Sequence, residues 1–229
     1  MQSHRQRLDR YLEKQLDSSK KQIKLMLAQK QVQVDGQCCV DGQLLVNQFS
    51  RIEVANKLLP HQTPVYIMLN KPAGIVCATV DDEHETVLDL LPTELADIPG
   101  LHIAGRLDRF STGLVLLTND GRWSRQLSSP DTKVAKHYRV TLQNPITEDY
   151  APAFAEGMYF AYEDLTTQPV KLVQLAEKEV DLQLMEGRYH QIKRMFGRFR
   201  NPVISLHRYR IGDYLLPDDL PAGSYRLLD

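Results

Sequence analysis

The chain has no apolar run approaching the twenty or so residues that a membrane span needs, and Met1-Gln2-Ser3-His4-Arg5 lacks the apolar stretch of a secretory signal. Both absences point to a cytoplasmic protein with no membrane partner. Cysteine is scarce: Cys38 and Cys39 are adjacent and Cys77 stands alone, an odd number without Cys-x-x-Cys spacing. That excludes a disulfide framework and a cysteine metal knuckle and leaves reduced, structural thiols. Internal repeats and low-complexity tracts are also lacking. Net charge is nearly absent, −1 over 229 residues, which by itself argues against a polyanionic partner. What is present, 42% hydrophobic and 25% charged residues, suits a globular chain with one good core and length left for a smaller module.

The mean charge hides its distribution, and a polyanion responds to distribution. Residues 1–60 carry ten Lys/Arg against six Asp/Glu, whereas residues 61–229 carry eighteen against twenty-three. Within that acidic remainder, the stretch from Glu186 to Arg210 holds seven basic residues and one acid, with His190 and His207 among them. Such a run is either a solvated face or a nucleic-acid contact.

Apolar residues recur at helical spacing from Arg7 to Leu27 and break at Asp17-Ser18-Ser19, which predicts two short helices with Ser19 capping the second. Lys20, Lys21 and Lys24 then crowd the first turns of that helix, where they oppose its dipole, so a role other than helix stability is expected of them. Val32-Gln33-Val34 before Asp35-Gly36 reads as a strand and turn, with a further strand over Gln43 to Val46. Asn56 to Pro64, with two prolines and little periodicity, reads as a linker between a module over 1–60 and a domain over 64–229.

The larger part predicts strands over Val65–Asn70, Leu114–Thr118, Tyr138–Leu142, Val180–Met185 and Val203–Arg208. Helices are predicted over Arg122–Ser128, over Thr147–Glu156 with Thr147 as its cap, and over His190–Phe199. The order lacks the rhythm of repeated β-α-β units, so the fold class is α+β. On the last helix Ile192, Met195, Phe196 and Phe199 form one apolar stripe, which leaves Lys193, Arg194 and Arg198 off it and free to line a groove. Asp81-Asp82-Glu83-His84-Glu85 resembles a metal site in composition, but consecutive acids in a loop seldom converge on one ion. It is read as solvated loop, with no metal expected.

Gly105-Arg106-Leu107-Asp108-Arg109 sets an acid between two arginines, in a loop that enters the wholly apolar Leu114 to Leu117. On the residues alone this is either a satisfied turn or a functional carboxylate held at the edge of a core. The stretch continues Phe110-Ser111-Thr112-Gly113 and ends at Thr118-Asn119-Asp120-Gly121, and in this form it resembles the active-site signature of the RsuA-type pseudouridine synthases. Leu69-Asn70-Lys71-Pro72-Ala73-Gly74, Lys136-His137-Tyr138-Arg139-Val140, Glu186-Gly187-Arg188-Tyr189-His190-Gln191-Ile192-Lys193-Arg194-Met195-Phe196 and Leu206-His207-Arg208 extend the similarity. The N-terminal segment is similar to the small αL RNA-binding module, although Gln29, Lys30 and Gln31 stand where relatives usually carry Gly and Arg.

The resemblance implies a mixed, largely antiparallel sheet in the larger domain and a small α/β RNA-binding module before it. It implies isomerisation of one uridine to pseudouridine without a cofactor. Asp108 falls on the family's catalytic aspartate, Tyr138 on its active-site tyrosine and Lys193 on its ion-pairing basic residue, a role that adjacent Arg194 would share or replace. Arg106, Arg188, His190, Arg194, Lys20 and Lys24 are the expected RNA contacts. The expected partner is ribosomal RNA, 16S in a partly assembled small subunit, met by a monomer. A large-subunit (23S) enzyme and a non-catalytic assembly factor that binds ribosomal RNA are the alternatives.

Overall fold

The structure, a computed structural model, describes residues Arg5 to Leu228; the reading made on Met1 to His4 lies outside them. The chain forms two compact units that divide between Pro64 and Val65.

The first unit runs β1 (Gln6–Arg7), α1 (Leu8–Leu16), α2 (Lys20–Ala28), β2 (Val32–Val34), β3 (Gln37–Cys38), β4 (Leu45–Val46), β5 (Ile52–Val54) and β6 (Lys57–Leu58). Asp17, in the left-handed conformation, ends α1, and Ser19 starts α2 with a full capping box in which the Ser19 hydroxyl accepts from Gln22 N and the Gln22 side chain accepts from Ser19 N. The helices and the antiparallel sheet β3-β2-β5-β6 share one core, because Val32 and Val34 are buried on either side of half-buried Gln33, as Ile52 and Val54 are around Glu53. The linker expected over Asn56–Pro64 is corrected at its start. Ala55 and Asn56 both have positive φ and form the two-residue turn of the β5–β6 hairpin, and Leu59 is buried in the core.

The second unit runs β7 (Tyr66–Lys71), α3 (Thr93–Ala96), β8 (His102–Ala104), β9 (Thr112–Thr118), α4 (Gly121–Ser128), β10 (Lys136–Leu142), α5 (Tyr150–Glu156), β11 (Tyr159–Phe160), β12 (Leu165–Thr166), β13 (Lys171–Ala176), β14 (Glu179–Leu184), α6 (Gln191–Gly197), β15 (Val203–Ile211), β16 (Tyr214–Leu215) and β17 (Tyr225–Leu227). Among the described residues its sheet has nine strands, in the order β13-β14-β10-β15-β9-β7-β17 with β16 on β15 and β8 on β9. Every pairing is antiparallel except β9 with β15, where His207 faces Thr112 and Arg208 faces Gly113. The unit is therefore α+β with a mixed, mostly antiparallel sheet.

The unbroken apolar run of β9 has a simple cause: the strand feeds a core on each face. Val115 and Leu117 join the larger core with Ile67, Val140 and Phe196, while Leu114 and Leu116 join a second with Met68, Leu127 and Ile211. On α6, Ile192, Met195 and Phe196 are buried in the larger core as the stripe predicted, and Phe199 beyond the helix stacks on Tyr150 at 4.0 Å. The helix expected from Thr147 starts three residues later. Thr147 donates its hydroxyl to Asp149 instead of capping a backbone N–H, so the first turn lies elsewhere.

Candidate active site

Asp108 lies on the loop between β8 and β9, at the point where the central sheet changes from antiparallel to parallel pairing. Two buried cations from other parts of the chain hold that loop by its carbonyls. Lys71, at the end of β7 and fully buried, donates to Pro72 O, Arg109 O and Ser111 O at 2.9, 2.8 and 2.8 Å. Arg208, on β15 and 2% exposed, donates to Gly105 O at 2.6 Å, Leu114 O at 2.9 Å and Arg106 O at 3.2 Å. A lone buried cation is costly, whereas one whose donors all meet carbonyls is tolerable, and these two fix the backbone on both sides of Asp108. Neither was singled out as a site residue, because in the sequence both read as ordinary basic positions.

The carboxylate itself is 28% exposed and meets Lys193 Nζ at 3.0 Å through Oδ2 and His190 Nε2 at 3.4 Å through Oδ1. Both partners come from the start of α6, where His190 takes the left-handed conformation at the N-cap with φ 48°. A bulky residue held there is strained, and such strain gathers at functional sites. Arg194 is not a partner of Asp108. Its guanidinium is forked onto Glu163 at 2.5 and 2.6 Å and lies 3.7 Å over the Phe160 ring. Being next to Lys193 on a helix, it points about 100° away, so the two do not substitute for one another. Arg109 likewise turns from Asp108, donating to Gly74 O at 3.0 Å.

Asp108, Tyr138, Arg106, Arg188, His190 and Lys193 all line one cavity of about 450 Å³. Tyr138 sits on β10 beside a register shift between His137 and Tyr138 in the pairing with β15. Arg188 is committed to buried Glu186 at 2.9 Å, which with Gln191 fixes the turn before α6. Lys20 and Lys24, by contrast, are exposed on α2 of the first unit. His207 bonds Thr112 Oγ1 at 2.9 Å, a packing contact between β15 and β9. At the Asp81 loop, Asp81 accepts from the backbone of Glu83 and His84, and among the described residues no group of three His, Cys, Asp or Glu side chains is placed to hold a metal ion. Cys77 also holds the Asp108 loop, its sulfur accepting from Leu107 N at 3.3 Å.

Burial lowers the Lys71 pKa to about 8, against smaller opposing effects of Cys77 and Asp108. As a neutral amine Lys71 has two N–H donors for three carbonyls, so the Asp108 loop loses a tether above that pH. We expect the rate of any reaction at Asp108 to fall as pH rises through about 8. Stability moves the other way: between about 8 and the unfolded value of 10.5 only the unfolded chain keeps the proton, so this group favours folding more as pH rises. A pH–rate profile and pH-dependent melting of the native protein and Lys71→Met check both signs, because the variant should be slower at pH 7 and lack the alkaline limb.

The model of the RNA pseudouridylate synthase family matches residues 65–197. The chain is 47% identical over 224 residues to the ribosomal small subunit pseudouridine synthase A of Pseudomonas aeruginosa, covering 97% of this chain and 96% of the other. It is 41% identical over 223 residues to the protein of the same name from Escherichia coli, again covering 97% and 96%. A crystal structure of a pseudouridylate synthase superposes with a TM-score of 0.70 at 40% identity, over 97% of this chain and 96% of that one.

Proposed function

Because the chain belongs to the RNA pseudouridylate synthase family, we propose that it converts one uridine of small-subunit (16S) ribosomal RNA to pseudouridine, with Asp108 as the catalytic residue. The observation that carries the reading is the Asp108–Lys193 pair at 3.0 Å on the wall of an open cavity. A carboxylate that loses water when a base enters needs a fixed cation to stay charged, and Lys193 supplies it.

In the isomerisation the bond from ribose C1′ to N1 breaks, the uracil turns, C1′ bonds C5, the C5 hydrogen leaves and N1 gains one. Redox state is unchanged, so no cofactor is needed. An ionised Asp108 serves three routes: attack at C1′, addition to the uracil ring, or removal of a sugar proton to give a glycal. The target is everted from its stack, at a cost of a few kcal/mol, and Tyr138 offers an aromatic face worth about 1–3 kcal/mol in return. Arg106, Arg188 and His190 meet RNA around the cavity. The first unit docks RNA through Lys20 and Lys24 on α2. The protein acts as a monomer in the cytoplasm, on RNA in a partly assembled small subunit.

The test is release of tritium from carbon 5 of uracil in labelled 16S and 23S transcripts and in partly assembled particles. Release from 16S RNA alone is expected, unaffected by chelator. Release from 23S RNA alone would move the substrate to the large subunit, and none from any of them would leave a binding factor.

A further inference from the structure

One cation of the cavity has no task in the reaction as described. Lys136 opens β10 and shares its buried side with Tyr138, Val140 and Leu142. It lines the cavity and is 7% exposed. Among the described residues every other buried cation is matched: Lys71 and Arg208 meet three carbonyls each. Lys193 meets Asp108 and Arg188 meets Glu186. Among the described residues the Lys136 ammonium makes neither a hydrogen bond nor an ion pair, and only the backbone of Lys136 is paired, with β14 and β15. Its ammonium is not sealed off either, since the only side-chain N or O atom both inaccessible and unpartnered among the described residues is Ser111 Oγ.

A positive charge removed from water without an acid is unfavourable, and it becomes favourable when an anion arrives. The cavity is biased the same way, with five Lys and Arg on its walls against two carboxylates, Asp108 and Glu186, both already paired. Burial, and after it the charge of Arg208, lowers the Lys136 pKa, as expected of a cation short of a counter-charge. The permanent anion of a nucleotide is its phosphate, while uracil enters neutral.

We propose that Lys136 binds a phosphate of the everted nucleotide, so that it seats the target by its backbone while Asp108 acts on sugar or base. The proposal rests on reading the cavity as a nucleotide site. Lys136 is thus a substrate-binding residue, and Arg106, exposed on the same cavity, is the second cation within reach of that backbone.

The test is calorimetric titration of native protein, Lys136→Met and Lys136→Arg with uridine, uridine 5′-monophosphate and uridine 3′-monophosphate at low salt. Native protein should hold one monophosphate at least about tenfold tighter than uridine, Lys136→Met should lose that preference, and Lys136→Arg should regain it. With full-length RNA, Lys136→Met should flatten the slope of log K against log salt by about 0.7–0.9, one phosphate contact. Methionine matches the lysine stem without its charge, and a melting curve verifies the fold. Equal native affinity for uridine and both monophosphates overturns the proposal, as does an undiminished preference in Lys136→Met. A slower saturating rate with the phosphate preference intact overturns it too, by moving the charge to departing uracil. If the preference depends on Lys136 but no ribosomal RNA releases tritium, the phosphate site stands and the proposed function falls.

Discussion

Replacing Asp108 with asparagine should stop tritium release from 16S RNA, lowering the single-turnover rate by about four orders of magnitude or more, the scale seen when a nucleophile is removed. The carboxamide keeps the size of the side chain but is neutral, so it neither attacks carbon nor takes a proton, and all three chemical routes fail together. The fold should hardly notice. The carboxylate is 28% exposed and the loop is fixed by its backbone, through Lys71 and Arg208, not by the Asp108 side chain. Losing a partly exposed ion pair costs about 0–1 kcal/mol, so the melting temperature should stay within a few degrees. RNA binding should persist, because the cations around the cavity are untouched. Release that continues in Asp108→Asn would take Asp108 out of the reaction, whereas loss accompanied by unfolding would point to a structural acid.

Much of this site was legible in the sequence, for reasons that differ by residue. Asp108 and Lys193 are far apart in the chain, and what joined them was the family signature plus the need of a partly buried acid for a cation; the structure places them 3.0 Å apart. The apolar stripe on α6 also separated Lys193 from the core. Arg194 was harder to place, since two adjacent basic residues look alike until Glu163 is found on a hairpin thirty-one residues away. Lys71 and Arg208 stand in the quoted motifs without a role, because they act on carbonyls, and carbonyl partners leave no mark in a sequence. Lys136 did leave one: at the two-residue period of β10 it falls in line with Tyr138, Val140 and Leu142, a charge on a core-facing row. The Ala55-Asn56 turn was missed because alanine gives no hint of positive φ. The two-sided core explains why β9 showed no alternation, and the parallel β9–β15 pairing was not readable, since it depends on which strand inserts between distant neighbours.

Replacing Gly113 with alanine should produce the largest loss of stability of any single methyl addition at the site. Gly113 has φ +99°, and a Cβ there would lie 2.2 Å from Arg208 O and 3.0 Å from Arg208 C and N. These are backbone atoms of the paired strand, so no side chain can swing away to make room. The strained conformation costs about 1–3 kcal/mol and the overpacking about 1–3 more. Relief requires β15 to move off β9, and Arg208 is the residue that moves. Because the Arg208 guanidinium holds Gly105 O, Arg106 O and Leu114 O, that displacement carries the Asp108 loop with it. For a unit of this size each kcal/mol lowers the melting temperature by about 2–4 °C, so a fall of roughly 5–20 °C is expected in calorimetry. The rate should drop even in the protein that remains folded. Gly197→Ala is the control, because at the end of α6 its Cβ meets nothing within 4 Å and φ is not positive, so stability should hold or rise slightly. If Gly113→Ala melted like Gly197→Ala and kept its rate, the close β9–β15 approach would not be what holds the Asp108 loop in place.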